Sequence, residues 1–237
     1  MENIKVAMVS LGCAKNRVDS EHIAAQLAAA GYEIVFDSDR TDAKVVVINT
    51  CGFIGDAKEE SIEMILSMAQ AKKRRKIGKL IVMGCLSERY REELKAEIPE
   101  VDAFYGKFDW VNLANDLFQD NIFTENQRIT TTPSHYVYIK IAEGCNRTCS
   151  YCAIPLITGK YKSRTIESIV EEVKLLVAKG VKEFQLIAQD LTFYGCDLYK
   201  TNKLAELVQT LANISGVEWL RLHYGYPNQF PYKLLDV

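Results

Sequence analysis

The chain has 237 residues, which at about 150 residues per domain allows one to two domains and a core that needs no disulfide staples. With 48% apolar and 25% charged residues, its composition excludes a disordered chain. The 29 basic and 31 acidic residues give a net charge of −2, divided as 16 and 20 over residues 1–120 and as 13 and 11 over 121–237, so bulk charge predicts no nucleic-acid binding in either half.

Residues 1–100 alternate short apolar runs with helical patterns. Lys5 to Ser10 reads as a buried strand, and Ser20 to Ala30 as a helix ended by Gly31. Glu33 to Phe36 is a short strand, followed by a polar turn over Asp37 to Asp42. Val45-Val46-Val47-Ile48 is a β-branched run that fits a strand buried on both faces of a parallel sheet. Asp56 to Lys73 is a helix expected to present Ile62, Ile65, Leu66 and Ala69 to the core. Leu80 to Met83 is the next strand and Ser87 to Ile98 the next helix. Such alternation predicts βαβ units in a doubly wound parallel sheet over residues 1–120.

Residues 121–135 lack periodicity and read as a linker. The pattern then restarts over 136–237. Tyr136 to Ile141, Phe184 to Ala188 and Trp219 to His223 are strands. Thr165 to Lys179 and Lys203 to Asn213 are helices, the first with Ile166, Ile169, Val173, Leu176 and Val177 on its apolar face. Three βα-type strands neither close a barrel nor cover their edge, so the chain reads as part of a longer protein. No stretch approaches the roughly 18 apolar residues of a membrane span. The segment Met1-Glu2-Asn3-Ile4-Lys5 lacks the features of a signal peptide. A cytoplasmic location is the expectation.

Seven cysteines in a chain from a reducing compartment point away from disulfides and toward metal or redox chemistry. Cys145, Cys149 and Cys152 form Cys-x-x-x-Cys-x-x-Cys in the loop after a strand. Three thiolates there suit a four-iron cluster with one iron left open. Zinc is the rival, but structural zinc usually has four protein ligands in paired spacings, which here would require a fourth such as His135. Cys13, Cys51 and Cys85 each directly follow an apolar strand, in Leu11-Gly12-Cys13, Thr50-Cys51 and Met83-Gly84-Cys85. A parallel sheet brings those strand ends to one edge, where ligands bind. There the three form a second candidate site, with Gly12, Gly52 and Gly84 allowing close backbone approach. The alternative is three ordinary strand-end thiols. Cys196 reads as a packed, incidental thiol.

Other groups are ambiguous. Lys72 to Lys76 closes a helix, where basic residues favour the macrodipole and stay solvated; contact with RNA or an acidic partner is the rival reading. Lys160, Lys162 and Arg164 are similar, and His22, His135 and His223 read as non-catalytic. No Walker loop, dinucleotide fingerprint or Ser-His-Asp set is found.

These cysteine patterns resemble the radical S-adenosylmethionine superfamily and, within it, the methylthiotransferases. Glu143 to Cys152 is similar to the superfamily's cluster motif, with Tyr151 before the last cysteine, and Cys13, Cys51 and Cys85 to the second cluster site of the methylthiotransferase amino-terminal domain. Ser10 to Glu21, Asn49 to Ile54 and Ala188 to Tyr199 resemble the branch that modifies a ribosomal protein rather than the branch that modifies tRNA. The resemblance implies a doubly wound amino-terminal domain followed by the first half of a radical S-adenosylmethionine partial barrel. It implies two [4Fe-4S] clusters, S-adenosylmethionine as cofactor, and Tyr151, Gln189 and Asp190 as cofactor-contacting residues, although a strand-end cap is an equal reading of the last two. It also implies a reaction. A 5'-deoxyadenosyl radical would take hydrogen from the β-carbon of an aspartate in the small-subunit ribosomal protein of the decoding centre. The second cluster would supply the sulfur, giving a β-methylthio-aspartate. Implied partners are that ribosomal protein, an electron donor such as flavodoxin or ferredoxin, and ribosomal RNA. Full-length relatives complete the barrel and add a TRAM domain, so some of the cofactor site would lie on later strands. The other readings are a tRNA methylthiotransferase and an iron–sulfur-binding module without catalysis.

Overall fold

A computed structural model describes residues 4–37, 43–117, 127–228 and 230–237. The chain divides into two compact units, Met1–Thr131 and Thr132–Val237.

The first unit runs β1 (Lys5–Ser10), α1 (Ala14–Ala29), β2 (Glu33–Phe36), β3 (Val45–Thr50), α2 (Gly55–Lys73), β4 (Lys79–Gly84), α3 (Cys85–Glu97), β5 (Ala103–Phe104) and α4 (Trp110–Leu117). Its sheet has the order β2-β1-β3-β4-β5, every pair parallel. The chain moves outward from β1 to β2, then returns past it to β3, β4 and β5. Right-handed crossovers in opposite directions put their helices on opposite faces. Two cores result. Val46 and Ile48 of β3 pack with Ile65 and Met68 of α2 and Leu86 and Leu94 of α3. Val45 and Val47 pack on the other face with Ile23 and Leu27 of α1 and Leu113 of α4. The β-branched run is thus buried on both sides, contributing about 6 to 12 kcal/mol before chain entropy is counted.

Several boundaries differ from the sequence expectation. Helix α1 starts at Ala14 rather than Ser20, because its first turns carry Lys15, Asn16 and Arg17, which give no apolar period to read. Asn16 and Lys15 are nevertheless buried. Helix α3 starts at Cys85 and contains one non-helical residue, Tyr90, at φ −128° and ψ 31°. Strand β5 and helix α4 were not expected, the strand being two residues long. Ile65 and Ala69 are buried as expected, but Ile62 and Leu66 are 37% and 45% exposed. The expected turn over 37–42 falls mostly on residues 38–42, outside the described residues.

Of the stretch expected as a linker, 127–131 is tied to α1 and 132–135 belongs to the second unit; 121–126 lie outside the described residues. The Arg128 guanidinium pairs with Glu21 at 2.5 Å, both side chains 1% exposed. The other oxygen of Glu21 accepts from the Thr131 N–H and hydroxyl, each at 2.7 Å. Composition gives no sign of such an anchor, which depends on a carboxylate buried 107 residues earlier.

The second unit runs β6 (Tyr136–Lys140), β7 (Ala142–Glu143), α5 (Ile154–Thr158), β8 (Lys162–Ser163), α6 (Ile166–Ala178), β9 (Glu183–Ile187), α7 (Leu204–Ala212) and β10 (Trp219–Leu222), with short 3-10 turns at Leu191–Phe193 and Tyr232–Asp236. Strands β10, β9 and β6 form a parallel sheet in that order. Thr165 caps α6 by accepting from the Ser168 N–H at 3.2 Å. Ile169, Val173 and Leu176 of α6 are buried with Leu207 and Leu211 of α7 over Val137, Ile139, Phe184 and Leu186. The antiparallel pair β7–β8 was missed, each strand being only two residues long.

Candidate metal and cofactor sites

At the carboxyl edge of the first sheet, three βα junctions deliver one cysteine each. Cys13 is the N-cap of α1, Cys51 follows β3, and Cys85 opens α3. Two glycines hold the junctions together. Gly12 has φ +87°, and a Cβ there would lie 2.6 Å from Cys51 Cβ. Gly84 has φ +98°, and its Cβ would lie 2.3 Å from the Asn49 side-chain oxygen. Only glycine adopts these dihedrals at no steric cost and leaves that space.

Polar groups missed in the sequence fix the loops. Asn16 donates to the carbonyls of Leu11 at 3.1 Å and Thr50 at 2.9 Å, bridging two of the junctions. Its side-chain oxygen accepts from Cys85 Sγ at 3.6 Å, which brings in the third. Asn49 donates to the Asn16 carbonyl and the Ser20 hydroxyl. The Ser61 hydroxyl accepts from the Cys51 N–H at 3.0 Å. Asn16 and Asn49 are each 1% exposed, so every one of these bonds replaces water that cannot reach them. The signal was present as polar residues beside each cysteine, but only the sheet order shows that they meet.

Burial raises the Cys85 thiol to about 11, with the charges of Cys13 and Cys51 adding to the rise and Lys107 opposing it. Cys51 is raised for the same first reason. Lys107 is 3% exposed and pairs with Asp19 at 2.9 Å, while its N–H donates to Glu88 at 2.9 Å. A buried cation therefore acts on the Cys51 and Cys85 thiols, a group that sequence reasoning did not single out.

In the second unit, Cys145, Cys149 and Cys152 lie in the loop between β7 and α5. The β7–β8 pair closes its base, with Ala142 opposite Ser163 and Glu143 opposite Lys162. The Cys145 N–H donates to the Gly159 carbonyl, and Cys145 Sγ accepts from the Arg147 N–H at 3.4 Å. Burial raises the Cys145 thiol, helped by Asp190 and Cys152 and opposed by the Arg147 N–H. Arg147 pairs with Asp190 at 2.9 Å and lies 4.2 Å over the Tyr226 ring. The loop is thereby tied to the carboxyl ends of β9 and β10, the edge where a ligand of a parallel sheet binds.

The other predicted site residues lie as follows. Asp190, 3% exposed, caps the 3-10 turn by accepting from the Thr192 N–H at 3.0 Å and also holds Arg147. Gln189 is half-buried beside it, and Tyr151 is 87% exposed on the cysteine loop. Cys196 is half-buried and outside both triplets. The next residue, Asp197, accepts from the Ser163 N–H and hydroxyl, anchoring β8. Lys73 is 67% exposed and pairs with Glu100, as expected of a solvated residue at a helix carboxyl end, whereas Lys72, 23% exposed, pairs with Asp102 and donates to the Glu100 carbonyl. Arg164 pairs with the buried Glu172.

Two family models match the chain, the uncharacterized protein family UPF0004 over residues 5–106 and the radical SAM superfamily over 139–230. Over its whole length the chain is 58% identical to the ribosomal protein uS12 methylthiotransferase RimO of Parabacteroides distasonis. It is 59% identical to the protein of that name from Porphyromonas gingivalis. Over its whole length the chain is similar to radical S-adenosylmethionine methylthiotransferases. It spans about half the length of the curated relatives it matches, 55% of each of these two. Among solved structures, the radical S-adenosylmethionine methyltransferase TsrM from Kitasatospora setae aligns with a TM-score of 0.64 at 14% identity, over 99% of this chain and 57% of that one. This likeness shows the fold, that of radical S-adenosylmethionine enzymes.

The radical SAM match and these relatives imply S-adenosylmethionine and [4Fe-4S] clusters as cofactors. The donor sets fit them. Among the described residues, no three His, Cys, Asp or Glu side chains are grouped to hold a single metal ion. Thiolates sharing one zinc, at about 2.3 Å per bond, lie within about 4.6 Å of one another. Three thiolates in each set suit a four-iron cluster with one iron left open. Among the described residues, no helix is long and apolar enough to cross a membrane.

Proposed function

We propose that this chain carries both cluster sites of an enzyme that places a methylthio group on the β-carbon of an aspartate in ribosomal protein uS12. The single observation behind this reading is the pair of three-cysteine sets, one at the edge of each parallel sheet. Cys145, Cys149 and Cys152 would hold one [4Fe-4S] cluster, and Cys13, Cys51 and Cys85 the other. When bound, the clusters and S-adenosylmethionine supply the one-electron chemistry that opens an unactivated C–H bond, together with the sulfur that replaces the hydrogen.

The residues of the chain do the positioning. The Arg147 N–H on Cys145 and the Arg147–Asp190 pair hold the cysteine loop against the sheet edge. Tyr151, Gln189 and Asp190 would border S-adenosylmethionine, the exposed Tyr151 ring being free to cover it. The Asn16 bridge orients the three junctions of the other site, and Lys107 offsets part of the thiolate charge that gathers there. The reading also carries a cytoplasmic setting, a one-electron donor such as flavodoxin or ferredoxin, and ribosomal RNA near the docked substrate.

Oxygen-free reconstitution tests it. Iron and sulfide are counted per chain, with each cysteine triplet replaced by alanine in turn. Each replacement is expected to remove about half of the iron. Zinc bound in place of iron would overturn the reading.

A further inference from the structure

The exposure of Ile62 and Leu66 marks a groove that the sheet does not need. It runs between α2 and α3 with a volume of about 840 Å³. Its walls include Ile62 and Leu66 from α2, and Tyr90 and Leu94 from α3. From Gly55 to Leu66 the α2 wall measures about 16 Å at 1.5 Å per helical residue. That is three turns, long enough for a short partner segment. Its lining reaches Gly55, four residues after Cys51, and Leu86, next to Cys85, and Phe53 and Ile54 in the segment that joins Cys51 to α2 are 39% and 54% exposed. The groove therefore opens toward the cysteine edge. Contiguous exposed apolar surface of this kind marks an interaction site.

Its charge identifies the class of partner. Asp56, Glu59, Glu93 and Glu97 line it, and among the described residues none of the four has an ion-pair partner. Several other carboxylates of the unit are paired, as in Glu21 with Arg128, Asp102 with Lys72 and Asp109 with Arg91. The one cation in the lining, Lys58, lies 5.9 Å over the Tyr90 ring. An apolar floor between unpaired carboxylates suits a segment with an apolar row flanked by lysines or arginines. A ribosomal protein, which must neutralise RNA phosphates, is rich in such segments.

We propose that the α2–α3 groove docks a basic, amphipathic segment of the ribosomal-protein substrate beside the Cys13, Cys51 and Cys85 edge. This rests on the reading of the chain as part of a ribosomal-protein-modifying enzyme. Shape and apolar contact supply the affinity, and the carboxylates supply steering and salt dependence.

The test uses this chain, purified ribosomal protein uS12 as the probe, and fluorescence anisotropy at two salt concentrations. The double variant Ile62→Gln and Leu66→Gln is expected to bind at least tenfold more weakly. Because both residues are exposed, its thermal unfolding should match that of the parent. The triple variant Glu59→Gln, Glu93→Gln and Glu97→Gln is expected to lose most of the salt dependence. No binding of uS12 by the parent chain, or equal binding by parent and double variant, would overturn the proposal. So would sedimentation showing a dimer of the parent that the double variant dissolves, since the occupant would then be a second copy. Iron counts with the triplet variants fail or hold independently of all these outcomes, so loss of the groove and loss of the functional reading remain distinguishable.

Discussion

Replacing Gly12 with alanine strains the backbone and crowds Cys51 at once. At φ +87° an L-residue pays about 1–2 kcal/mol for the left-handed conformation. The added Cβ would lie 2.6 Å from Cys51 Cβ and 3.0 Å from its Sγ, where carbon atoms pack best at about 3.5–4.0 Å. Either the Cys13 junction or the Cys51 junction must retreat by roughly 1 Å, and overpacking of that kind costs about 1–3 kcal/mol. The sum is about 2 to 5 kcal/mol, falling on the two junctions that Asn16 bridges. A domain of this size loses about 3–6 °C in Tm per kcal/mol. Differential scanning calorimetry of the metal-free chain should show the destabilisation. Iron analysis after oxygen-free reconstitution should show about half of the parental iron, the share of the Cys145, Cys149 and Cys152 site being retained. A variant with parental Tm and full iron would refute the reasoning, because Cys51 could then not be packed against Gly12.

Two further outcomes follow from burial and charge. Glu21→Gln breaks the buried ion pair with Arg128, and breaking such a pair costs about 3–5 kcal/mol; urea denaturation should show a lower midpoint, and limited proteolysis faster cleavage at residues 127–131. Cys85 is raised from 9.0 to about 11 by burial, and Cys51 and Cys145 are also raised. The raised folded-state pKa means that burial favours the neutral thiol: its contribution to metal-free stability is full below pH 9 and is lost as pH climbs through 11. Cluster loading must therefore expel the protons of Cys51, Cys85 and Cys145 near pH 8, which calorimetry in buffers of different ionisation enthalpy would measure; release of fewer than one proton per chain would refute thiolate ligation.

The parts of the fold that were legible in the sequence are those where apolar spacing and geometry agree. The run Val45 to Ile48 named a strand buried on both faces, and it is one. Cys13, Cys51 and Cys85 could be brought to one edge because each follows an apolar strand and parallel strands end on the same side. What could not be read was polar burial. The beginning of α1 is hidden because Asn16 and Glu21 serve partners 34 and 107 residues away. Asp19 likewise serves Lys107, 88 residues on. No local window contains those pairings. Ile62 and Leu66 failed in the opposite sense. Their spacing is that of a core face, but α2 presents a wider apolar stripe than the sheet covers, and the surplus lines a groove.

The two cysteine sites differ in what must form before they exist. Cys145, Cys149 and Cys152 fall within eight consecutive residues, closed by a local antiparallel pair and held by the Arg147 N–H. Cys13, Cys51 and Cys85 are separated by more than 30 residues at each step and meet only when β1, β3 and β4 are in register. The second arrangement spends long-range chain entropy that only a folded sheet repays. Metal bound there would be linked to global folding of the first unit, whereas metal bound in the loop would be linked mainly to local order. In rising urea without oxygen, the iron held by the strand-end cysteines should therefore leave together with the helix signal of the first unit. Triplet variants that keep one cluster each would separate the two curves. Loop iron lost at the same midpoint as strand-end iron, with both units unfolding together, would refute this difference in linkage.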